Sequence, residues 1–81
     1  MHLRSTLNLQ LNAVLEDPEL RTIDQLKQEY PLLINNLREY CFESGCPEPD
    51  ARLELLESKG IACWKEGSGM AFKFPIGILY L

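Results

Sequence analysis

The chain has 81 residues, of which 46% are hydrophobic and 25% are charged, and its formal net charge is −4. This length allows one small domain, residues 1–81, which buries only about 60–65% of the surface that the unfolded chain exposes. No run approaches the roughly 18 apolar residues of a membrane span, and the start lacks the apolar stretch of a secretory signal. We therefore expect a single cytoplasmic domain without a membrane partner.

The negative charge is local. The segment Cys41–Ser58 holds five acids and one base, so it carries the whole net charge of −4, and the remaining residues sum to zero. No two of the 8 basic residues are adjacent, whereas a phosphate-binding surface needs clustered Lys and Arg. Nucleic-acid binding is therefore disfavoured, and the acidic segment is a solvated helix face or a docking surface for a basic partner.

The first predicted element is a helix over residues 5–16, capped by Ser5 or Thr6. Residues at helical spacing give it one apolar face: Leu7, Leu11, Val14 and Leu15. The strict alternation of apolar and polar residues from Leu3 to Leu11 is also typical of a strand. That alternation fails at residues 13–15, which favours the helix.

A capping box at Thr22–Gln25 predicts the start of a short helix over residues 23–29. Pro31 then either kinks this helix or starts a new one, because proline is favoured at the first helical position. A helix over residues 31–43 follows, and Gly45 ends it. Its inward face is predicted to hold Leu33, Leu37, Tyr40 and Cys41.

A stiff loop with two prolines, residues 46–49, leads to a fourth predicted helix over residues 50–59. Asp50 can cap this helix, Leu53 and Leu56 face inward, and Gly60 ends it. An apolar residue that directly follows such a glycine commonly folds back over the last helical turn. The sequence therefore predicts a Schellman ending at this point.

The tail predicts a β-hairpin of residues 61–65 and 70–74, with Lys65 opposite Met70. One face of the hairpin is then a core face that holds Ile61, Cys63, Met70, Phe72 and Phe74. The other face is half wet and holds Ala62, Trp64, Ala71 and Lys73. The segment Ile76–Leu81 predicts a third strand, which pairs within the sheet or with another copy of the chain.

These elements predict an α+β domain in which three to four short helices precede an antiparallel hairpin or three-stranded sheet. This order resembles the winged-helix family, and Leu53 through Phe74 resembles its final helix and wing. The resemblance implies an alternative function, a DNA-binding transcriptional regulator. The recognition helix of such regulators is basic or polar, whereas this segment presents Glu54 and Glu57, which favours contact with protein.

Few residues of the sequence could bind a metal ion or act as a nucleophile. Cys41, Cys46, Cys63 and His2 include the ligand types of a zinc site, but four residues separate Cys41 from Cys46, more than the usual knuckle spacing. Buried thiols are the favoured interpretation. A nucleophilic cysteine needs a neighbouring base, and His2 is the single histidine. We therefore predict a protein that is not an enzyme and has no metal or cofactor.

The most informative surface residue is Trp64, because a partly exposed tryptophan gives a large contact area with few rotatable bonds. Together with Lys65 and Lys73 it forms the predicted partner-binding site, and Glu54 and Glu57 form the second choice. The sequence thus predicts a small regulatory or adaptor protein that binds another protein. A homodimer formed through the C-terminal strand is included in this prediction.

Overall fold

The structure, a computed structural model, describes residues 2–45 and 53–81. Within these residues four helices precede three strands: α1 Leu3–Glu16, α2 Ile23–Glu29, α3 Pro31–Ser44, α4 Glu54–Ser58, β1 Ala62–Glu66, β2 Gly69–Phe74 and β3 Gly77–Tyr80. The strands form one antiparallel sheet in the order β1-β2-β3. The predicted α+β class is therefore confirmed. None of the described helices is both long and apolar enough to cross a membrane.

Helix α1 begins at Leu3 and not at the predicted residue 5. His2 occupies the N-cap position with extended backbone, and no side chain caps the helix, so the predicted cap at Ser5 or Thr6 is wrong. Leu3 packs against the core, and this burial stabilises a helix that begins two residues earlier. The helical face is as predicted at Leu7, Leu11 and Val14, which are buried, and the alternative strand over residues 3–11 is wrong.

Helices α2 and α3 follow the sequence pattern closely. The capping box is present, since the Gln25 amide donates to the Thr22 hydroxyl over 3.2 Å and the Thr22 amide donates to Gln25 Oε1 over 3.0 Å. Pro31 starts a new helix, and Gly45, with a φ of 82°, lies directly after its last residue. Helix α3 lies against α1, where Asn36 Nδ2 donates to Gln10 Oε1 over 2.9 Å.

The connection between α1 and α3 is fixed by a side-chain hydrogen bond. The Tyr30 hydroxyl, between α2 and α3, donates to Asp17 Oδ2 over 3.0 Å. This bond to a carboxylate, together with burial, raises the pKa of Tyr30 above its usual value of 10.0. The bond therefore ties the end of α1 to the start of α3 while the phenol is neutral.

Helix α4 is shorter than predicted. It begins at Glu54, because Leu53 has extended backbone and occupies the N-cap position. The predicted cap Asp50 lies outside the described residues. The end of the helix matches the prediction: the Ile61 amide donates to the Leu56 carbonyl over 2.9 Å and the Gly60 amide donates to the Glu57 carbonyl over 3.0 Å. This is the bonding pattern of a Schellman ending.

The sheet has the predicted register. Lys65 lies opposite Met70 and Cys63 lies opposite Phe72, and β3 continues the sheet with Leu79 opposite Phe72. We call the inward side the core face; it holds Cys63, Met70, Phe72, Phe74 and Leu79, all buried in one cluster with the apolar faces of the helices. Ile61, just before β1, joins this cluster as predicted. The molecule therefore has two layers, with the helices on one side of the sheet.

Candidate protein-binding surface

The second side of the sheet, which we call the outer face, points away from the core cluster. Side chains alternate between the two sides of a strand, so the register of the three strands assigns the outer face directly. Its side chains are Ala62, Trp64, Glu66, Ala71, Lys73, Ile78 and Tyr80. None of them belongs to the core cluster of the described residues.

The centre of the outer face is a row of three residues. Trp64 on β1 and Tyr80 on β3 lie on either side of Ala71 on β2. Neighbouring strands are about 4.8 Å apart, so the Cα atoms of the two aromatic residues are separated by about 10 Å. Tyr80 is 61% exposed, whereas Ala71 has no exposed surface. The larger side chains around Ala71 therefore cover it and form an apolar platform.

The orientation of Trp64 is fixed by a hydrogen bond. Its indole Nε1 donates to Glu66 Oε2 over 2.7 Å, and both residues lie on the outer face because they are two positions apart on β1. A hydrogen bond to a charged acceptor is stronger than a neutral one. The bond satisfies the polar atom of the indole at the surface and restricts the rotamers of Trp64.

The neighbouring row adds an apolar residue and a cation. Lys73 lies between Ala62 and Ile78, and Ile78 is 36% exposed. Among the residues that the structure describes, no ion pair involves Lys73. The outer face therefore combines an aromatic platform with a cation that has no counter-charge within this part of the chain.

Two predicted site residues, Trp64 and Lys73, come together on the outer face, and Lys65 does not join them. The alternation of β1 directs the Lys65 side chain to the same side as Met70, at an exposed position near the hairpin turn. The site residues that sequence reasoning missed are Glu66, Ile78 and Tyr80. The alternation within Gly77–Tyr80 is the signal that could have placed the last two beside Trp64.

The second predicted surface, on α4, is exposed but sparse. Glu54 and Glu57 occupy a helix of only five residues. The Glu54 carboxylate lies 3.7 Å from the Arg4 guanidinium, and both side chains are more than half exposed. Such a surface ion pair contributes little to stability. Two exposed carboxylates also repel phosphates, which disfavours this helix as a recognition helix for DNA.

The cysteines that the structure describes, Cys41 and Cys63, are buried thiols. Within residues 2–45 and 53–81 no three side chains of the metal-ligating types come together. Cys46 lies outside the described residues, so the structure does not test the zinc set that includes it, which the cysteine spacing disfavours.

Comparisons with known proteins do not assign a family. No protein-family model matches the chain, and no curated protein and no solved structure matches it either. The winged-helix resemblance therefore remains a prediction from the order of the elements, and function has to be argued from the outer face itself.

Proposed function

We propose that this chain is a non-enzymatic regulatory or adaptor protein that binds another protein through the outer face of its sheet. The observation that carries the proposal is the platform that half-buried Trp64 forms with exposed Tyr80 and Ile78 beside Lys73. Exposed apolar side chains are unremarkable when scattered singly, but a contiguous group on one face marks an interaction surface.

The composition of the platform suits a binding hot spot. Tryptophan and tyrosine are enriched among the residues that contribute most to binding energy. The strands that carry the outer face are anchored, since their opposite side is buried in the core. An anchored surface loses little conformational entropy on binding, and this lowers the cost of association.

The charge of the platform defines the partner's chemistry. Lys73 is exposed between Ala62 and Ile78 and has no ion-pair partner among the described residues. A partner that covers it must offer an acidic group, because burying an unpaired charge is costly. We therefore expect an apolar protein surface that carries an aspartate or glutamate opposite Lys73. The buried thiols Cys41 and Cys63 suit a reducing compartment such as the cytoplasm.

The test compares variants of the immobilised chain in capture from a lysate of the source cells, followed by titration of each captured protein in purified form. Trp64→Ala is expected to weaken the purified complex by about thirtyfold, which corresponds to a hot spot of about 2 kcal/mol. Lys73→Glu is expected to weaken it as well, and an acidic-to-lysine change in the partner should then restore binding. The matched control is Leu9→Ala, which removes an exposed apolar side chain from α1.

Three results would contradict the proposal. The first is a set of bound proteins whose affinities are unaffected by Trp64→Ala and Lys73→Glu. The second is a Trp64→Ala variant that is unfolded by circular dichroism, because Trp64 would then belong to the core. The third is a Leu9→Ala control that loses as much affinity as Trp64→Ala, because the loss would then not be specific to the outer face.

A further inference from the structure

The outer edge of β3 carries backbone groups that the sheet does not use. Met70 and Leu81 exchange both of their backbone hydrogen bonds, at 3.0 and 2.8 Å. In an antiparallel ladder such pairs alternate with pairs that do not hydrogen-bond. The amides of Leu79 and Gly77 therefore point toward β2, whereas those of Ile78 and Tyr80 point away from it.

These outward groups are not satisfied elsewhere in the described chain. No hydrogen bond joins the amide or carbonyl of Ile78 or Tyr80 to another residue that the structure describes. Strand edges of this kind readily pair with another strand. The edge at residues 78–80 is therefore a template for strand addition.

The two edges of the sheet differ in charge. The β1 edge ends in Lys65 and Glu66, and charged residues on an edge discourage pairing between chains. By contrast, Gly77–Tyr80 contains no charged residue. A strand that pairs with its own copy about a two-fold axis brings the side chains of the two copies together on each face of the joined sheet, so like charges on that strand would repel. An uncharged strand can pair with itself without this penalty.

We infer that β3 pairs antiparallel with β3 of a second copy of this chain, and that the two sheets join into one continuous sheet. The two-fold axis passes beside Leu79, which lies opposite its own equivalent. Ile78 then lies opposite Tyr80 of the second copy, and each such pair exchanges both of its hydrogen bonds. A β-branched residue opposite an aromatic one is a favourable cross-strand pair.

This pairing also extends the outer face. Tyr80 of one copy and Ile78 of the other become neighbours, so the two aromatic platforms form one surface across the dimer. The inference does not rest on the proposed function, because strand pairing uses backbone groups of β3, whereas the partner-binding platform uses side chains. Ile78 and Tyr80 contribute to both, but Trp64 and Lys73 belong to the platform alone.

The dimer is expected to be weak. A stable interface buries roughly 1,200–2,000 Å² in total, and the edge of so short a strand offers less. We expect dissociation in about the micromolar range, observed by sedimentation velocity over a concentration series. A chain that remains monomeric at millimolar concentration would overturn the inference.

Hydrogen exchange gives a residue-specific readout. The amides of Ile78 and Tyr80 are expected to become at least about tenfold more protected as the protein concentration rises through the dissociation constant. The Leu79 amide, which already bonds to β2, should change much less. A mixed sample of labelled and unlabelled chains should show an intermolecular contact between the Leu79 α-protons, because residues in a non-hydrogen-bonded pair approach closely.

Substitutions separate the edge from the rest of the surface. Ile78→Lys places a charge on the edge, and Ile78→Pro removes the outward amide while the bonds of Leu79 and Gly77 to β2 remain. Both variants are expected to be folded monomers. Leu9→Lys adds the same charge on α1 and should dimerise normally, as should Trp64→Ala. Dimerisation that persists in both Ile78 variants would overturn the inference.

Discussion

The two faces of the sheet are built from the same strands but have different environments. On the core face the side chains between Cys63 and Leu79 are buried against the helices. The exception is Lys65, which is exposed near the turn. On the outer face Tyr80 and Ile78 are exposed, although both carry large apolar surfaces. An antiparallel sheet is stable with one face covered and the other in water. Burial in the core therefore accounts for the apolar residues of the core face. It does not account for the apolar residues of the outer face, which remain in water.

The largest loss of stability on substitution is expected on the core face, at Phe72. This side chain has no exposed surface and lies in the central strand between Cys63 and Leu79. Phe72→Ala should lower the free energy of unfolding by about 3–5 kcal/mol, because it removes a large apolar side chain and leaves a cavity. Urea denaturation measures the change. A loss below about 1 kcal/mol would mean that the core face does not hold the sheet to the helices.

The next largest loss of stability is expected where β3 meets α2. Gly77 has a φ of 145°, and a Cβ there would lie 3.0 Å from Ile23 Cγ1. Gly77→Ala should cost about 1–3 kcal/mol, since this backbone region is unfavourable for other residues and the new methyl group meets α2.

A matched glycine separates these two causes. Gly67 has a φ of 59°, and a Cβ there would meet nothing within 4 Å. Gly67→Ala therefore tests backbone strain without a clash, and it should cost only about 1–2 kcal/mol. If both substitutions reduce the midpoint of thermal unfolding equally, the methyl group that Gly77→Ala places near Ile23 costs nothing beyond backbone strain.

Local sequence patterns predicted most of the fold. The capping box at Thr22 and the proline at residue 31 gave correct helix starts, because each satisfies or removes an amide that a helix end leaves without a partner. The alternation of residues 61–74 predicted the hairpin register, since a slip by one residue would invert its faces. The starts of α1 and α4 were wrong, because packing of Leu3 and the extended backbone of Leu53 are not encoded in a local cap.

The candidate site was predicted only in part. Trp64 and Lys73 share a face because both lie in one hairpin, whose register follows from its turn. Their neighbours Tyr80 and Ile78 come from β3, and their position depends on how this strand aligns with β2. The sequence alone left open whether β3 pairs within the sheet at all.

The smallest effect is expected on the outer face, and two adjacent residues of β3 provide the comparison. Leu79 has no exposed surface, whereas Tyr80 is 61% exposed. Leu79→Ala should cost about 2–5 kcal/mol, and Tyr80→Ala should change the free energy of unfolding by only about 0.5 kcal/mol. Urea denaturation of both variants gives the two values under the same conditions.

The same Tyr80→Ala variant should lose affinity for a partner that covers the platform, because tyrosine is a frequent hot-spot residue. A residue that is dispensable for stability but needed for binding is a functional surface residue. If Tyr80→Ala instead destabilises the fold as strongly as Leu79→Ala, the aromatic ring is part of the structural packing around Ala71. The outer face would then be a second, smaller core, and the difference between the two faces would be one of degree.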